Sequence, residues 1–244
     1  VSPRGRTRPD RRLEKALLET HDHVGGLDEV GRGALAGPVS VGLAIVARCT
    51  DDDFPEGLAD SKQLTARART GLVDPVRDWL VDHAVAHASP AEIDEHGIVG
   101  ALRMAGLRAL QQVAERGHAP DVIILDGVAD WLTAPQPDLL TALEGGHLPE
   151  PAPEPAGAPA VPPVRMEVKA DARCVVVAAA SVLAKVERDR LMADLDDPGY
   201  GWASNKGYAS PAHIRGLTAL GASDQHRRSW HLPGLEQRHD RGAV

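Results

Sequence analysis

Aromatic residues make up only 3% of this 244-residue chain: four Trp, two Tyr and one Phe. A core without many large rings has to be filled by Val, Leu, Ile and Ala, and the 43% hydrophobic content supplies them. Cysteine is scarcer still. Cys49 and Cys174 stand far apart, which excludes a disulfide framework and offers no metal-ligand spacing, so a reducing cytoplasm is the expected location. No run of about 18 apolar residues exists, and no membrane helix is expected. The basic stretch from Val1 to Arg12 lacks the apolar centre of a signal peptide. Eleven histidines are scattered without ligand spacing, and His213 and His226 are expected to be structural.

A surplus of positive charge is also missing, since the net charge is −8. That argues against a nucleic-acid partner until the charge is divided along the chain. Residues 1–20 carry six bases and three acids, residues 165–244 twelve bases and ten acids, and residues 49–160 seven bases against nineteen acids. The acidity is concentrated in the middle, and acids that bind divalent ions are neutralised in a working enzyme.

The length suits one α/β domain with extensions. Residues 1–20 read as a basic tail and a short helix, with Leu13, Leu17 and Leu18 at helical spacing, and residues 233–244 read as a tail. Val24 to Val30 and Val39 to Arg48 read as strands, and His83 to Ser89 as a third. Helices are expected from Pro90, with acids in its first turn, and from Ile98 to Arg116, closed by Gly117. Asp121 to Gly127 reads as a buried central strand and Val164 to Val168 as another, ended by Lys169-Ala170-Asp171. A helix from Val175 to Met192 carries Ala178, Ala179, Ala180 and Ala184, a small-residue face able to lie close on a sheet. Residues 131–163 hold nine of the nineteen prolines and read as an extended loop inserted between two strands of one domain.

The chemistry gathers in a few strings. Gly26-Leu27-Asp28-Glu29-Val30-Gly31-Arg32-Gly33-Ala34-Leu35-Ala36-Gly37-Pro38 places two carboxylates at a strand end before a glycine-rich turn. Neighbouring strand residues face opposite ways, so both acids serve one site only if the chain bends between them. Taken alone, Asp-Glu is better read as the solvated tip of a surface hairpin; the whole thirteen-residue string is not. A Gly-Arg-Gly turn exposes backbone groups to close approach by a ligand. Asp60-Ser61-Lys62-Gln63-Leu64 precedes a helix and is by itself ordinary capping chemistry. Asp126 ends the central strand, where open α/β sheets bind ligands. Asp171 precedes an Ala-Ala-Ser-x-x-Ala-Lys-x-x-Arg-Asp helix, in which Lys185, Arg188 and Asp189 read as structural charges. Asn205-Lys206-Gly207-Tyr208 and His226-Arg227-Arg228-Ser229-Trp230 close the chain, with Tyr208 accessible between small residues.

These strings, in this order, resemble the type 2 ribonuclease H family (ribonuclease HII) over most of residues 24–232. The resemblance implies a ribonuclease H-like α/β fold spanning residues 21–232. Its mixed sheet of about five strands would have three antiparallel strands followed by two reached through helices, with helices on both faces. A small helical C-terminal part, residues 198–232, would contact substrate. The resemblance further implies a metal-dependent endonuclease that cleaves RNA/DNA hybrids. It would also nick duplex DNA 5′ of single ribonucleotides, leaving 3′-hydroxyl and 5′-phosphate ends. Asp28, Glu29, Asp126 and Asp171 would hold two divalent ions, Mn²⁺ or Mg²⁺. Gly31, Arg32 and Gly33 would meet the 2′-hydroxyl, Ser61 and Lys62 the substrate backbone, and Tyr208 the next sugar. Tyr200 would matter far less. A monomer is expected. Two other classes remain open: a nuclease of the same fold that resolves DNA, and a hybrid-binding protein without catalysis.

Overall fold

The β-branched segments pair into one sheet in the computed structural model, which describes residues 8–134, 154 and 157–235. Strands β1 (His23–Val30), β2 (Val39–Ala47), β3 (Asp82–Ala88), β4 (Val122–Asp126) and β5 (Val164–Glu167) stand in the order β3-β2-β1-β4-β5. The first three are antiparallel, while β4 joins β1 and β5 joins β4 in parallel. Among the described residues the helices are α1 (Arg12–Leu18), α2 (Ala66–Trp79), α3 (Pro90–Glu115), α4 (Ala170–Arg173), α5 (Val175–Asp194), α6 (Trp202–Asn205) and α7 (Pro211–Leu220). This is the expected mixed sheet. The crossover into β4 is helical, through α3; the path into β5 contains no helix among its described residues.

Alternation along the strands divides the core in two. Val24, Ala44, Val46, Val122 and Ile124 pack with α1, α2 and α5. Leu27, Leu43, Ile45, Ile123 and Leu125 pack with α3 on the other face. The small-residue face of α5 does lie close on the sheet. A Cβ at Gly26 would stand 2.7 Å from the Val176 carbonyl carbon, and one at Gly42 would strike the Ala180 oxygen and the Ala184 methyl. Where α5 meets β1 and β2 the sheet must therefore carry glycine.

The two helices expected after Ser89 run together across a kink at Gly97, whose φ is 69°. Ser89 and Glu92 form a reciprocal capping box at the start. A third, smaller cluster, including Leu35, Met192, Tyr200, Trp202, Leu217 and Leu232, builds the helical C-terminal part. His213 and His226 are buried there and share a 3.0 Å hydrogen bond, in keeping with a structural role. Cys49 is exposed and Cys174 buried, both free.

The proline-rich reading of 131–163 falls largely outside the described residues, as do residues 1–7 and 236–244 of the two tails. At its start the stretch differs from an extended loop: Trp131 and Leu132 are buried against α3. Among the described residues no helix is long and apolar enough to cross a membrane.

Candidate active site

Asp28 and Glu29 stand near the end of β1, which stays paired with β2 through Val30 (Asp28↔Gly42, Glu29↔Val41, Val30↔Ser40). The bend looked for between the two acids is absent, and the chain turns only at Gly31. Alternation therefore sends Asp28 toward α5 and Glu29 toward the other face. Both stand at the carboxyl edge of the sheet, and the charge of Glu29 acts on Asp28. Asp28 is 4% exposed, and its Oδ1 accepts the Glu29 N–H at 2.9 Å. Burial pushes its pKa up to about 7. A hydrogen bond from Ser181 works against that rise, Glu29 and Asp126 add to it, and Lys62 opposes it.

Asp126, at the end of β4, accepts the Ala170 N–H at 2.7 Å and so ties the strand to the turn carrying the fourth acid. Asp171 does not end β5, as the sequence suggested. It lies in α4, one helical turn entered through Lys169 with φ 58°. Lys62 Nζ donates to Asp171 Oδ2 at 3.1 Å, with the lysine side chain 74% exposed and the aspartate 7%. Burial, then the charge of Asp126, raises the Asp171 pKa, and Lys62 only partly offsets this. Burial disfavours the charge on Lys62, but its bond to Asp171 prevails and its pKa is pushed up to about 12. Lys62, Asp126, Gly127, Lys169 and Asp171 line an open cleft of about 440 Å³. A larger groove of about 570 Å³, beside Phe54 and Trp79, contains none of the four acids.

Ser61 is placed differently from expectation. It is 2% exposed, and its hydroxyl hydrogen-bonds the Ser181 hydroxyl at 2.8 Å. Its side chain thus supports the floor under Asp28 and is not presented to a substrate backbone. Ser181 is the residue sequence reasoning passed over. Its signal was a lone hydroxyl in the apolar run from Val175 to Ala184.

The donors are hard oxygens on three elements, β1, β4 and α4, the chemistry that suits Mg²⁺ or Mn²⁺. Among the described residues no three or more His, Cys, Asp or Glu are already gathered to hold an ion. The acids fit the ions through their charge: burial, with neighbouring carboxylates adding to it, disfavours the ionised forms of Asp28 and Asp171, and a divalent cation would favour them again.

Beyond Val30 the Gly31 carbonyl accepts the Ala34 N–H at 3.2 Å, closing a turn over Arg32 and Gly33. A Cβ at Gly31, where φ is 84°, would strike the Arg188 guanidinium; at Gly33 it would meet nothing within 4 Å. Arg32 reaches back to Glu29 Oε1 at 3.3 Å. Tyr208 is 38% exposed, with the Arg188 guanidinium 5.7 Å from its ring centre. Tyr200 is buried, stacked on Trp202 at 4.8 Å, and donates its hydroxyl to Gly221 O at 2.9 Å.

The family model for ribonuclease HII matches residues 25–232, from the first acidic string to the last arginine-rich one. The chain belongs to the ribonuclease HII family. It is 41% identical over 234 residues to the ribonuclease HII of Streptomyces avermitilis, covering 94% of this chain and 87% of that one. Among solved structures it resembles ribonuclease H2 from Pyrococcus horikoshii, with a TM-score of 0.60 and 27% identity over 90% of this chain and 99% of that one. Bst-RNase HIII in complex with Mn²⁺ shares the fold, with a TM-score of 0.55 and 19% identity over 91% of this chain and 70% of that one. Membership makes the chain an endoribonuclease H, a hydrolase acting on RNA/DNA hybrids.

Within that family frame Asp28, Asp126, Asp171 and Lys62 share one electrostatic neighbourhood, and Glu29 borders it. The residue 31–33 turn adjoins it at the end of β1. Tyr208 reaches the turn through Arg188, which packs beneath Gly31.

Proposed function

We propose that the chain also nicks duplex DNA 5′ of single embedded ribonucleotides, leaving 3′-hydroxyl and 5′-phosphate ends. Its cellular task would be removal of misincorporated ribonucleotides. The observation carrying this reading is a pairing of two features at one sheet edge. Asp126 and Asp171 line an acidic cleft, and Asp28, on which Asp126 acts, stands at the end of the strand that leads into a turn with open space over Gly33. The 2′-hydroxyl is what distinguishes RNA from DNA at a given site, and a backbone turn without a side chain in the way can meet it.

In this reading Asp28, Glu29, Asp126 and Asp171 hold two divalent ions, Mn²⁺ or Mg²⁺; the fold neighbour Bst-RNase HIII is known in complex with Mn²⁺. Bound ions in such sites supply a reactive water at neutral pH and neutralise charge on the leaving oxygen. The remaining work is positioning. Ser181 fixes Asp28 from below, and Ala170 N–H fixes Asp126. The exposed Lys62 ammonium lies at the mouth of the cleft, within reach of a phosphate. Gly31, Arg32 and Gly33 read the ribose, and Tyr208 packs on the next sugar.

The test is an end-labelled duplex with one ribonucleotide, incubated with Mg²⁺, Mn²⁺ or chelator. One metal-dependent nick 5′ of the ribonucleotide, sealed by DNA ligase, is expected, with the all-DNA duplex intact. Cleavage of the all-DNA duplex, or of long hybrids alone, overturns the reading.

A further inference from the structure

Two arginines behind the glycine-rich turn have no part in the chemistry described so far. Arg227 and Arg188 are both fully buried. Neither forms an ion pair among the described residues, although the charge of Asp94 acts on Arg227 and that of Asp189 on Arg188; both are held by main-chain carbonyls. Arg227 donates from Nη2 to Gly31 O at 2.6 Å, from Nη1 to Arg32 O at 2.8 Å, and from Nη2 and Nε to Gly37 O at 3.2 and 3.3 Å. Arg188 donates to Pro38 O at 2.8 Å, Lys206 O at 3.0 Å and Ala36 O at 3.3 Å. The backbone around Arg227 is stitched to the same loop: Gly37 N–H donates to Gln225 O at 2.8 Å, and Arg227 N–H to Leu35 O at 3.0 Å.

Burying a cation without a paired carboxylate is costly, and an apolar residue of similar volume fills space at less cost. What an apolar residue cannot do is turn carbonyls. A planar trans peptide carries its N–H opposite its C=O, and no peptide bond here is cis. With the Gly31 and Arg32 carbonyls drawn inward onto Arg227, the N–H groups of Arg32 and Gly33 must face outward. Neither makes a hydrogen bond among the described residues, and the space over Gly33 is open. Two donors side by side, backed by two buried positive charges, form a receptor for an electron-rich oxygen.

We propose that Arg227, with Arg188 beside it, is the positioning residue for ribose selection: it holds the turn so that the Arg32 and Gly33 N–H groups meet the 2′-hydroxyl oxygen of the ribonucleotide. This rests on the reading of the turn given under Proposed function. It adds a cause for the turn's geometry and places the specificity device about 200 residues away in sequence. Arg227 acts through the backbone and touches neither the substrate nor the cleft acids.

Two measurements on the full chain decide it. In the first, the ¹⁵N-labelled wild-type protein is titrated, in chelator, with duplexes that differ only in one 2′-hydroxyl. The Arg32 and Gly33 amides are expected to shift with the ribonucleotide duplex and to respond far less to its deoxy twin. Equal responses, or none, overturn the reading of the turn and with it the proposal, and this arm needs no variant to fold. In the second, the ratio of ribo to deoxy duplex affinity is measured for Arg227→Met and Arg227→Lys. Arg227→Met is expected to lower the ratio on the order of tenfold, the equivalent of one hydrogen bond, while Mn²⁺ binding by calorimetry stays unchanged. Arg227→Lys, which keeps the charge but not the fork, is expected to fall between. A folded Arg227→Met with wild-type discrimination, or one weakened equally for both duplexes, shows a merely structural arginine. If wild type itself prefers neither duplex, the underlying reading of the turn has failed instead.

Discussion

Among single residues Asp28 is the most buried of the four acids. Its folded pKa of about 7 lies above the 3.8 of an ordinary aspartate, chiefly because it is out of water. A raised acid favours the folded state most when protonated. Its contribution is therefore complete below pH 4 and is lost as the pH rises through 7. Asp28→Asn removes that loss. In chelator at pH 8 the variant is expected to melt several degrees higher than wild type, and at pH 4 to show little gain, while cleavage falls to background. A melting scan at both pH values checks this; substantial cleavage by the folded variant removes Asp28 from the site. The glycines of the turn divide by the same reasoning. Gly31→Ala drives a methyl into Arg188 at positive φ and is expected to lower both melting temperature and activity. Gly33→Ala meets nothing in the protein, so it should melt like wild type yet bind substrate on the order of tenfold more weakly. Melting curves and KM separate the two.

Tyr208 can be tested with a different control from the one the sequence suggests. Tyr208→Ala removes an exposed ring and should slow single-ribonucleotide cleavage by about ten- to a few hundred-fold without a stability change, as for aromatic contacts to nucleic acid. Tyr208→Phe should retain most of the activity. Tyr200→Ala is no neutral comparison, since it empties a buried stack and costs roughly 3–5 kcal/mol. Tyr200→Phe, which loses only the bond to Gly221 O, serves instead. Single-turnover rates and melting temperatures for all four check this.

At the scale of elements, α5 is the part on which the site depends. It brings Ser181 under Asp28, Arg188 under the turn, and its first turn onto the N-terminal helix. There the buried Glu14 of α1 accepts the Val176 N–H at 3.0 Å, capping α5 from another element. Burial raises the Glu14 pKa, so its contribution, like that of Asp28, declines as pH rises through the folded value. Glu14→Gln keeps an acceptor for Val176 and is expected to flatten the fall of stability with pH. Glu14→Ala loses the cap and should be less stable by roughly 1–2 kcal/mol at every pH. Urea titrations across pH distinguish these outcomes.

The elements were largely legible in the sequence because each buries a regular pattern: alternating strands, an apolar run in β4, small residues along α5 matched by Gly26 and Gly42. Of the four acids proposed as metal ligands, Asp28, Glu29 and Asp126 stand at or near strand ends, as the patterns indicated, while Asp171 lies in the helical turn after β5. What was not legible depends on contacts far apart in the chain. Strand periodicity continues through Glu29, so the turn begins later than glycine content alone suggested. Ser61 looked like a capping residue near a substrate, and only its meeting with Ser181, 120 positions on, shows it to be buried. Arg227 read as one base in a basic string. Its burial exists because the turn at residues 31–38 folds over it.

For the whole molecule, the burial of Asp28 and Asp171 beside other carboxylates costs stability at neutral pH, and a divalent ion held there would offset that cost. Mn²⁺ is therefore expected to raise the melting temperature of wild type, more at pH 8 than at pH 5, where Asp28 is protonated. The rise should be much smaller in Asp28→Asn. A rise equal in both proteins would mean that the ion binds elsewhere.

The most direct test of the central claim compares two duplexes, identical except for one 2′-hydroxyl, under single-turnover conditions with Mg²⁺ or Mn²⁺, for wild type and Asp28→Asn. Wild type is predicted to cut only the ribonucleotide duplex, at one bond on its 5′ side, and Asp28→Asn to cut neither. Cleavage of both duplexes at similar rates, or undiminished cleavage by Asp28→Asn, would contradict the account.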